Sequence, residues 1–226
     1  MNIRWKEITE ENLSHIDKVL KLYDSIFPIV VREPHTTFLN GLHYAKLRKP
    51  NNFRFLVGFE GEEIISFATG HYLEEVNSGF IVYIATNPHS RSKGIGSKTL
   101  AKMEELLTED AIRAGNSSLN AIILETETED LVHTKEEKDN CKKRNEFLRR
   151  NGFKNSAGIR YLQPPLNNED VAVPLNLFIK NQQNNEQDIK KIIYAIYKEK
   201  YYLVNGIDTE VLNNCLIQME IGKKLI

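Results

Sequence analysis

The segment from Phe80 to Leu107 constrains this chain more than any other. Phe80 to Ala85 is an apolar run of strand length, followed by a short polar loop carrying Asn87-Pro88. Then come Arg91-x-x-Gly94-x-Gly96 and, from Ile95, a helical pattern with Leu100, Met103 and Leu107 on one face. A glycine-bearing loop that opens a helix turns several free backbone N–H groups toward one point, with the positive end of the helix dipole behind them. Glycine has no Cβ and lets the backbone approach a ligand closely. The expected ligand of this loop is a phosphate or pyrophosphate.

Two common phosphate loops fail on spacing. The dinucleotide fingerprint needs a small residue three positions after its second glycine, where this chain has Thr99. The Walker loop needs Gly-Lys-Ser/Thr, and here Ser97 separates Gly96 from Lys98-Thr99. The segment instead resembles the Arg/Gln-x-x-Gly-x-Gly/Ala loop of the GCN5-related N-acetyltransferases (GNAT), with Thr86 in a place where that family usually has Val. Phe147-Leu-Arg-Arg-Asn-Gly-Phe153 is similar to the helix end that closes the family's domain. The resemblance covers residues 1–180. It implies an α+β, three-layer acyl-CoA N-acyltransferase fold, with a mixed, mostly antiparallel sheet flanked by helices. It also implies acetyl-CoA as cosubstrate, its pyrophosphate on Arg91, Ser92, Lys93, Gly94, Ile95, Gly96 and Ser97. In that family the fourth strand bulges and splays from the fifth, freeing main-chain groups for the thioester oxygen and pantetheine arm. By register those are Ile84, Ala85 and Thr86.

Periodicity leads to the same order of elements. A first strand is expected over 3–8, then a helix over 11–27, capped by Thr9 or Ser14-x-x-Asp17 and ended by Pro28. A weaker helix follows over 34–47. Phe53, Phe55, Val57 and Phe59 alternate with Arg54, Leu56 and Gly58, the pattern of a half-buried strand. Glu60-Gly61-Glu62 turns it into a second strand over 64–73. Strands are expected at 78–86 and 119–125, a charged helix over 136–150 stopped by Gly152, and closing strands at 159–162 and 171–179. The polar run 181–185 reads as a linker to a helical C-terminal extension, 181–226. There Ile189, Ile192, Ile193 and Ile196 form one stripe, Asn205-Gly206 a break, and Leu212, Leu216 and Met219 a second stripe. Such faces must pack on the main domain, on a second subunit as a homodimer, or over the substrate cleft.

Acetyl transfer to an amine needs a base for the amine proton and a proton for the leaving thiolate. Glu125, Glu127 and Glu129 share one face if the fifth strand continues, and crowded carboxylates would raise one another's pKa. Glu125 is the base candidate, directly or through a water, and Tyr83, just before the expected bulge, is a second. Leu148 stands where the resemblance implies a tyrosine and Cys141 where it implies an asparagine, so either the thiolate leaves unassisted or Tyr161, Tyr83 or a water supplies the proton. His89, inside the loop, could touch phosphate. His35 and His43, eight apart, lack metal-pair spacing, His71 could face the acceptor cleft, and no metal is expected.

A net charge of −1 gives no electrostatic case for nucleic acid or an acidic membrane. The two cysteines, Cys141 and Cys215, are isolated, as in a reducing compartment. No targeting segment or membrane-length apolar run is visible, so a cytoplasmic protein is expected. The leading functional expectation is an N-acetyltransferase acting on a small-molecule or peptidic amine. The missing tyrosine at 148 keeps open a non-catalytic acyl-CoA-binding sensor on the same fold. A module binding ATP through the glycine loop is disfavoured by the failed Walker spacing.

Overall fold

The computed structural model describes residues 2–27, 29–90, 93–156, 158–166, 171–180, 186–222 and 224–225. Pro28, Arg91, Ser92 and the expected linker 181–185 lie outside the described residues. The chain divides into two compact units, residues 1–119 and 120–226.

In the first unit β1 (Arg4–Glu7), β2 (Asn52–Glu60), β3 (Glu63–Leu73) and β4 (Ser78–Thr86) follow one another as antiparallel neighbours. Helices α1 (Ile16–Ile26) and α2 (His35–Leu47) precede β2, and α3 (Ile95–Arg113) follows β4. Gly61, at φ +62°, makes the turn between β2 and β3. The expected half-buried β2 is instead buried from Phe53 to Phe59 on both faces. Helices α2 and α3 both pack on it, so alternation of polarity is not alternation of exposure. Arg54 tolerates this because Asp110 meets it: its Nε donates to Oδ2 at 2.8 Å and its Nη2 to Oδ1 at 2.5 Å. Nη1 donates to Glu7 at 2.9 Å, which ties β1, β2 and α3 together.

An aromatic cluster fills one side of this unit. The ring of Tyr23 lies 5.0 Å from Phe38 and 4.9 Å from Tyr83. On α3, Leu107 approaches β4 so closely that a Cβ on Gly79 would lie 2.8 Å from it. Neither expected cap of α1 forms. The Ser14 hydroxyl donates to Asn12 Oδ1, Thr9 pairs with Asn12, and the helix starts at Ile16 without a side-chain cap.

In the second unit β8 (Val173–Lys180) is central. It pairs antiparallel with β5 (Ala121–Glu127) along one edge, and with the two-residue strands β6 (Lys154–Asn155) and β7 (Leu162–Gln163) along the other. Helix α4 (Lys135–Arg150) begins at a capping box, in which the Thr134 hydroxyl accepts from the Glu137 N–H and the Glu137 carboxylate accepts from the Thr134 N–H. It stops at Gly152, φ +89°, as expected. The C-terminal helices are α5 (Glu186–Ile196) and α6 (Thr209–Gln218), the latter capped by Asp208. Between them, residues 197–204 wind as a π-helix, a feature the apolar stripe did not announce. These helices pack within their own unit. The Tyr197 hydroxyl donates to the Leu162 carbonyl, and the Leu162 N–H lies 3.2 Å from Met219 Sδ.

Candidate active site

The glycine loop is positioned by Asn87. Its N–H and its side-chain amide donate to the carbonyls of Ile65 and Ile64, while its own Oδ1 and carbonyl accept from the N–H groups of His89 and Ser90. This closes a helical turn over Pro88–Ser90 before the glycines. Gly94 occupies the N-cap of α3 at φ +70°, and no side chain caps that end. A Cβ there would meet nothing within 4 Å among the described residues. The first intrahelical bond runs from the Lys98 N–H to the Gly94 carbonyl. The N–H groups of Ile95, Gly96 and Ser97 precede it and have no partner in the helix ladder. Among the described residues nothing crowds Gly94, and donors outside the helix ladder at a positive dipole end suit phosphate oxygens. Lys93 is exposed beside them.

On β4, Ile84, Ala85 and Thr86 pair with Ala68, Phe67 and Ser66 of β3. The irregularity of this strand lies earlier than expected. Thr69 faces Tyr83 but Gly70 faces Ile81, leaving Val82 as the extra residue, so the bulge precedes Tyr83. Gly70 allows it, since a Cβ there would come 3.1 Å from the Phe80 carbonyl. The Tyr83 hydroxyl donates to the Val31 carbonyl at 3.0 Å and accepts from Tyr23 at 3.2 Å. Tyr23 in turn accepts from the Glu33 N–H. Burial raises the Tyr23 phenol well above its ordinary range. Tyr83 is thus held in the aromatic core of the first unit.

Glu125 gathers the densest polar cluster of the second unit. Tyr161, 1% exposed, donates its hydroxyl to Glu125 Oε1. The Tyr201 hydroxyl lies 3.0 Å from both carboxylate oxygens, and Gln163 Nε2 lies 3.3 Å from Oε2. The rings of Tyr161, Tyr197 and Tyr201 form an edge-to-face series, with centroids 6.5 and 5.4 Å apart. Loss of water around the carboxyl pushes its pKa up to about 7. The hydrogen bonds from Tyr161 and Tyr201, the Lys200 charge and the Gln163 amide only partly offset that. Burial and the nearby carboxylate raise the Tyr161 phenol well above its ordinary range.

The neighbouring acids behave differently. Glu127 ends β5 and pairs with Arg144 of α4. Glu129 opens a separate helical turn, so the three glutamates do not share a strand face. The raised pKa of Glu125 therefore comes from dehydration and not from crowded carboxylates. Cys141 and Leu148 are buried in α4, and the Cys141 thiol accepts from Arg144. His35 and His43 bind Asp24 and Glu10, and His71 is buried against Phe53. His89 is exposed in the glycine loop. Among the described residues no three His, Cys, Asp or Glu side chains cluster as a metal site.

Sequence reasoning missed Tyr201, Gln163 and Lys200. Tyr197 and Tyr201, four apart in an apolar tail, were the only trace of them, and nothing in the sequence links Tyr201 to a residue 76 positions earlier.

Residues 16–124, which include the glycine loop, match the acetyltransferase (GNAT) family model. Over that segment the chain is similar to the GNAT acetyltransferases. Solved structures share its fold. A protein assigned to the GNAT acetyltransferases from Bacteroides thetaiotaomicron is 22% identical, with 91% of this chain and 99% of that one covered and a TM-score of 0.67. That share is larger than residues 1–180 alone could supply, so the common fold extends into the C-terminal segment. Ard1 from Thermoplasma volcanium is 15% identical, with 81% of this chain and 100% of that one covered and a TM-score of 0.53. Salmonella typhimurium yncA, solved with its cofactor acetyl-CoA, is 12% identical, with 82% of this chain and 97% of that one covered and a TM-score of 0.52. No curated protein matches the chain. No helix among the described residues is long and apolar enough to cross a membrane.

Proposed function

We propose that this protein transfers the acetyl group of acetyl-CoA to the amine of a small-molecule or peptidic acceptor, as a cytoplasmic enzyme with no metal, nucleic-acid or membrane partner. The proposal takes residues 1–180 as the acetyltransferase domain and 181–226 as its helical extension. The observation that carries it is the start of α3 at Gly94, left-handed, without a side-chain cap and with no described residue within 4 Å of where a Cβ would stand. In this reading the N–H groups of residues 93–97, with Arg91 and Ser92, hold the pyrophosphate, and Ile84, Ala85 and Thr86 offer main chain to the acyl and pantetheine portions.

The amine nitrogen attacks the thioester carbonyl carbon, the C–S bond breaks, and the thiolate leaves. Glu125 takes the amine proton. Its pKa of about 7 suits a base that must be unprotonated at neutral pH and still accept a proton. The hydroxyl of Tyr83, the hydroxyl of Tyr161 or a water returns a proton to the thiolate. The buried Leu148, with no hydroxyl to offer, favours a second reading as a non-catalytic acyl-CoA sensor.

Thiol release from acetyl-CoA with a panel of primary amines separates the two readings. Turnover supports the enzyme, and CoA binding without turnover on any amine supports the sensor. In an active enzyme Glu125→Gln lowers kcat/KM at neutral pH by about a hundredfold. The defect narrows as pH rises and the amine arrives deprotonated. Normal activity of this variant across the pH range would remove Glu125 from the mechanism.

A further inference from the structure

We propose that Tyr201, on the π-helical turn of the C-terminal segment, is a positioning residue that holds the Glu125 carboxylate for the proton-transfer step. The proposal rests on the reading of Glu125 as base. It assigns a role in the chemistry to a segment that follows the expected acetyltransferase domain.

The geometry is asymmetric in an informative way. Tyr161 and Gln163 approach one oxygen each, whereas the Tyr201 hydroxyl sits 3.0 Å from both and bridges them. The bridging hydroxyl holds the head of the carboxylate from the front, while Tyr161 on one oxygen and Gln163 on the other set its plane. Tyr201 is 1% exposed and is wedged by Tyr197, whose own hydroxyl is anchored on the Leu162 carbonyl next to Tyr161. The π winding brings Tyr197, Lys200 and Tyr201 into one stretch of buried chain. Such turns recur at functional sites because they cost regular helix geometry and persist where a side-chain arrangement repays it.

The charged and titratable groups around Glu125 can be named element by element. Residues 161–163 supply Tyr161 and Gln163, and the π turn supplies Tyr197, Lys200 and Tyr201. Lys200 acts through its charge, and its Nζ also donates to Asn205 Oδ1 at 2.8 Å. On the β8 side Leu177 stands opposite Glu125, and on the α4 side Arg144 is engaged by Glu127. Removing the Tyr201 hydroxyl deletes a donor to the charged form, so the carboxyl holds its proton to higher pH.

The test compares the full-length wild type with Tyr201→Phe and Lys200→Met. One readout is the titration of the Glu125 δ-carboxyl by carbon-13 NMR, assigned with Glu125→Gln. The other is the pH profile of kcat/KM for the best amine of the panel. The proposal expects the Glu125 midpoint to rise by about half a pH unit or more in Tyr201→Phe, with the acid limb of kcat/KM moving by the same amount and the cosubstrate KM unchanged. Lys200→Met, which removes a nearby charge together with the bond to Asn205 but no donor to Glu125, moves both midpoints in the same direction. A Glu125 midpoint that stays in place overturns the proposal, as does one that rises while the acid limb does not follow. If instead Glu125→Gln is fully active while the NMR midpoint still moves in Tyr201→Phe, the base assignment has failed and the hydrogen-bond clamp has not, so the two failures are told apart.

Discussion

Each unit of this protein sets a carboxylate among donors, Asp110 buried and Glu125 half-buried, and the two do so in opposite ways. In the first, Asp110 meets the fork of Arg54 through two hydrogen bonds and takes a third from Asn52. Burial works against the Arg54 charge, but Asp110 and then Glu7 more than offset it, and the guanidinium holds its proton more firmly than usual. In the second, Glu125 is met by two phenols and an amide, with one lysine charge acting on it, and its pKa sits near neutrality. A bidentate ion pair locks both partners in one charge state. Neutral donors dehydrate a carboxylate without neutralising it, and so leave it able to titrate. The first arrangement suits a staple, the second a site where a proton must move.

The contrast is broken most forcefully at Asp110. Asp110→Ala leaves the buried Arg54 without its main partner and should cost about 3–5 kcal/mol of stability, read by urea unfolding. The double variant Arg54→Met/Asp110→Leu should recover most of that loss. A single variant as stable as wild type would remove the staple from the account.

At Glu125 the sign is reversed. Its folded pKa of about 7 lies above the ordinary 4.5, so the folded state binds the proton more tightly. Stability is therefore full below about pH 4.5 and declines as pH rises toward about 7, by about 3 kcal/mol in all. Glu125→Gln should be more stable relative to wild type at pH 8 than at pH 5. An equal difference at both pH values would mean that the carboxyl is ordinarily solvated.

Two helix starts sharpen the comparison further. Helix α3 leaves its first donors uncapped at Gly94, whereas α4 satisfies its own through Thr134 and Glu137. Gly94→Val should weaken CoA binding about tenfold, or roughly 1.4 kcal/mol, in a calorimetric titration, partly through strain at positive φ. Unchanged affinity would displace the pyrophosphate from this loop. Thr134→Ala should leave CoA affinity untouched and cost about 1 kcal/mol of stability. A loss of CoA binding there would show that the two helix starts do not have separate jobs.

Much of the architecture was legible because it depends on local rules. Gly61 turns a hairpin, Gly152 stops α4, and Gly94 opens α3, each through a backbone conformation that other residues resist. The burial of β2 was not legible, since the covering of both faces by α2 and α3 is a tertiary fact and Arg54 disguises it. Glu125 could be picked out from its place at the end of an apolar strand, but the reason for its unusual proton affinity could not. Glu127 and Glu129 looked like the cause, yet Glu127 is spent on Arg144 and Glu129 has left the strand. The actual partners come from residues 161–163 and from the tail, contacts across long sequence separations that no period encodes.

The π-helix over 197–204 also bears on how such a chain tolerates change in length. Its turns close from each residue to the fifth before it, so it stores more residues per turn than an α-helix. Deleting one codon here lets the winding relax to the commoner form and rotates Tyr201 relative to Tyr197 without changing any side chain's chemistry. Reading-frame-preserving deletions in this octet are thus a mutational route distinct from substitution. Deletion of Lys198 or Glu199 would detune the carboxylate while every residue that touches it is still encoded.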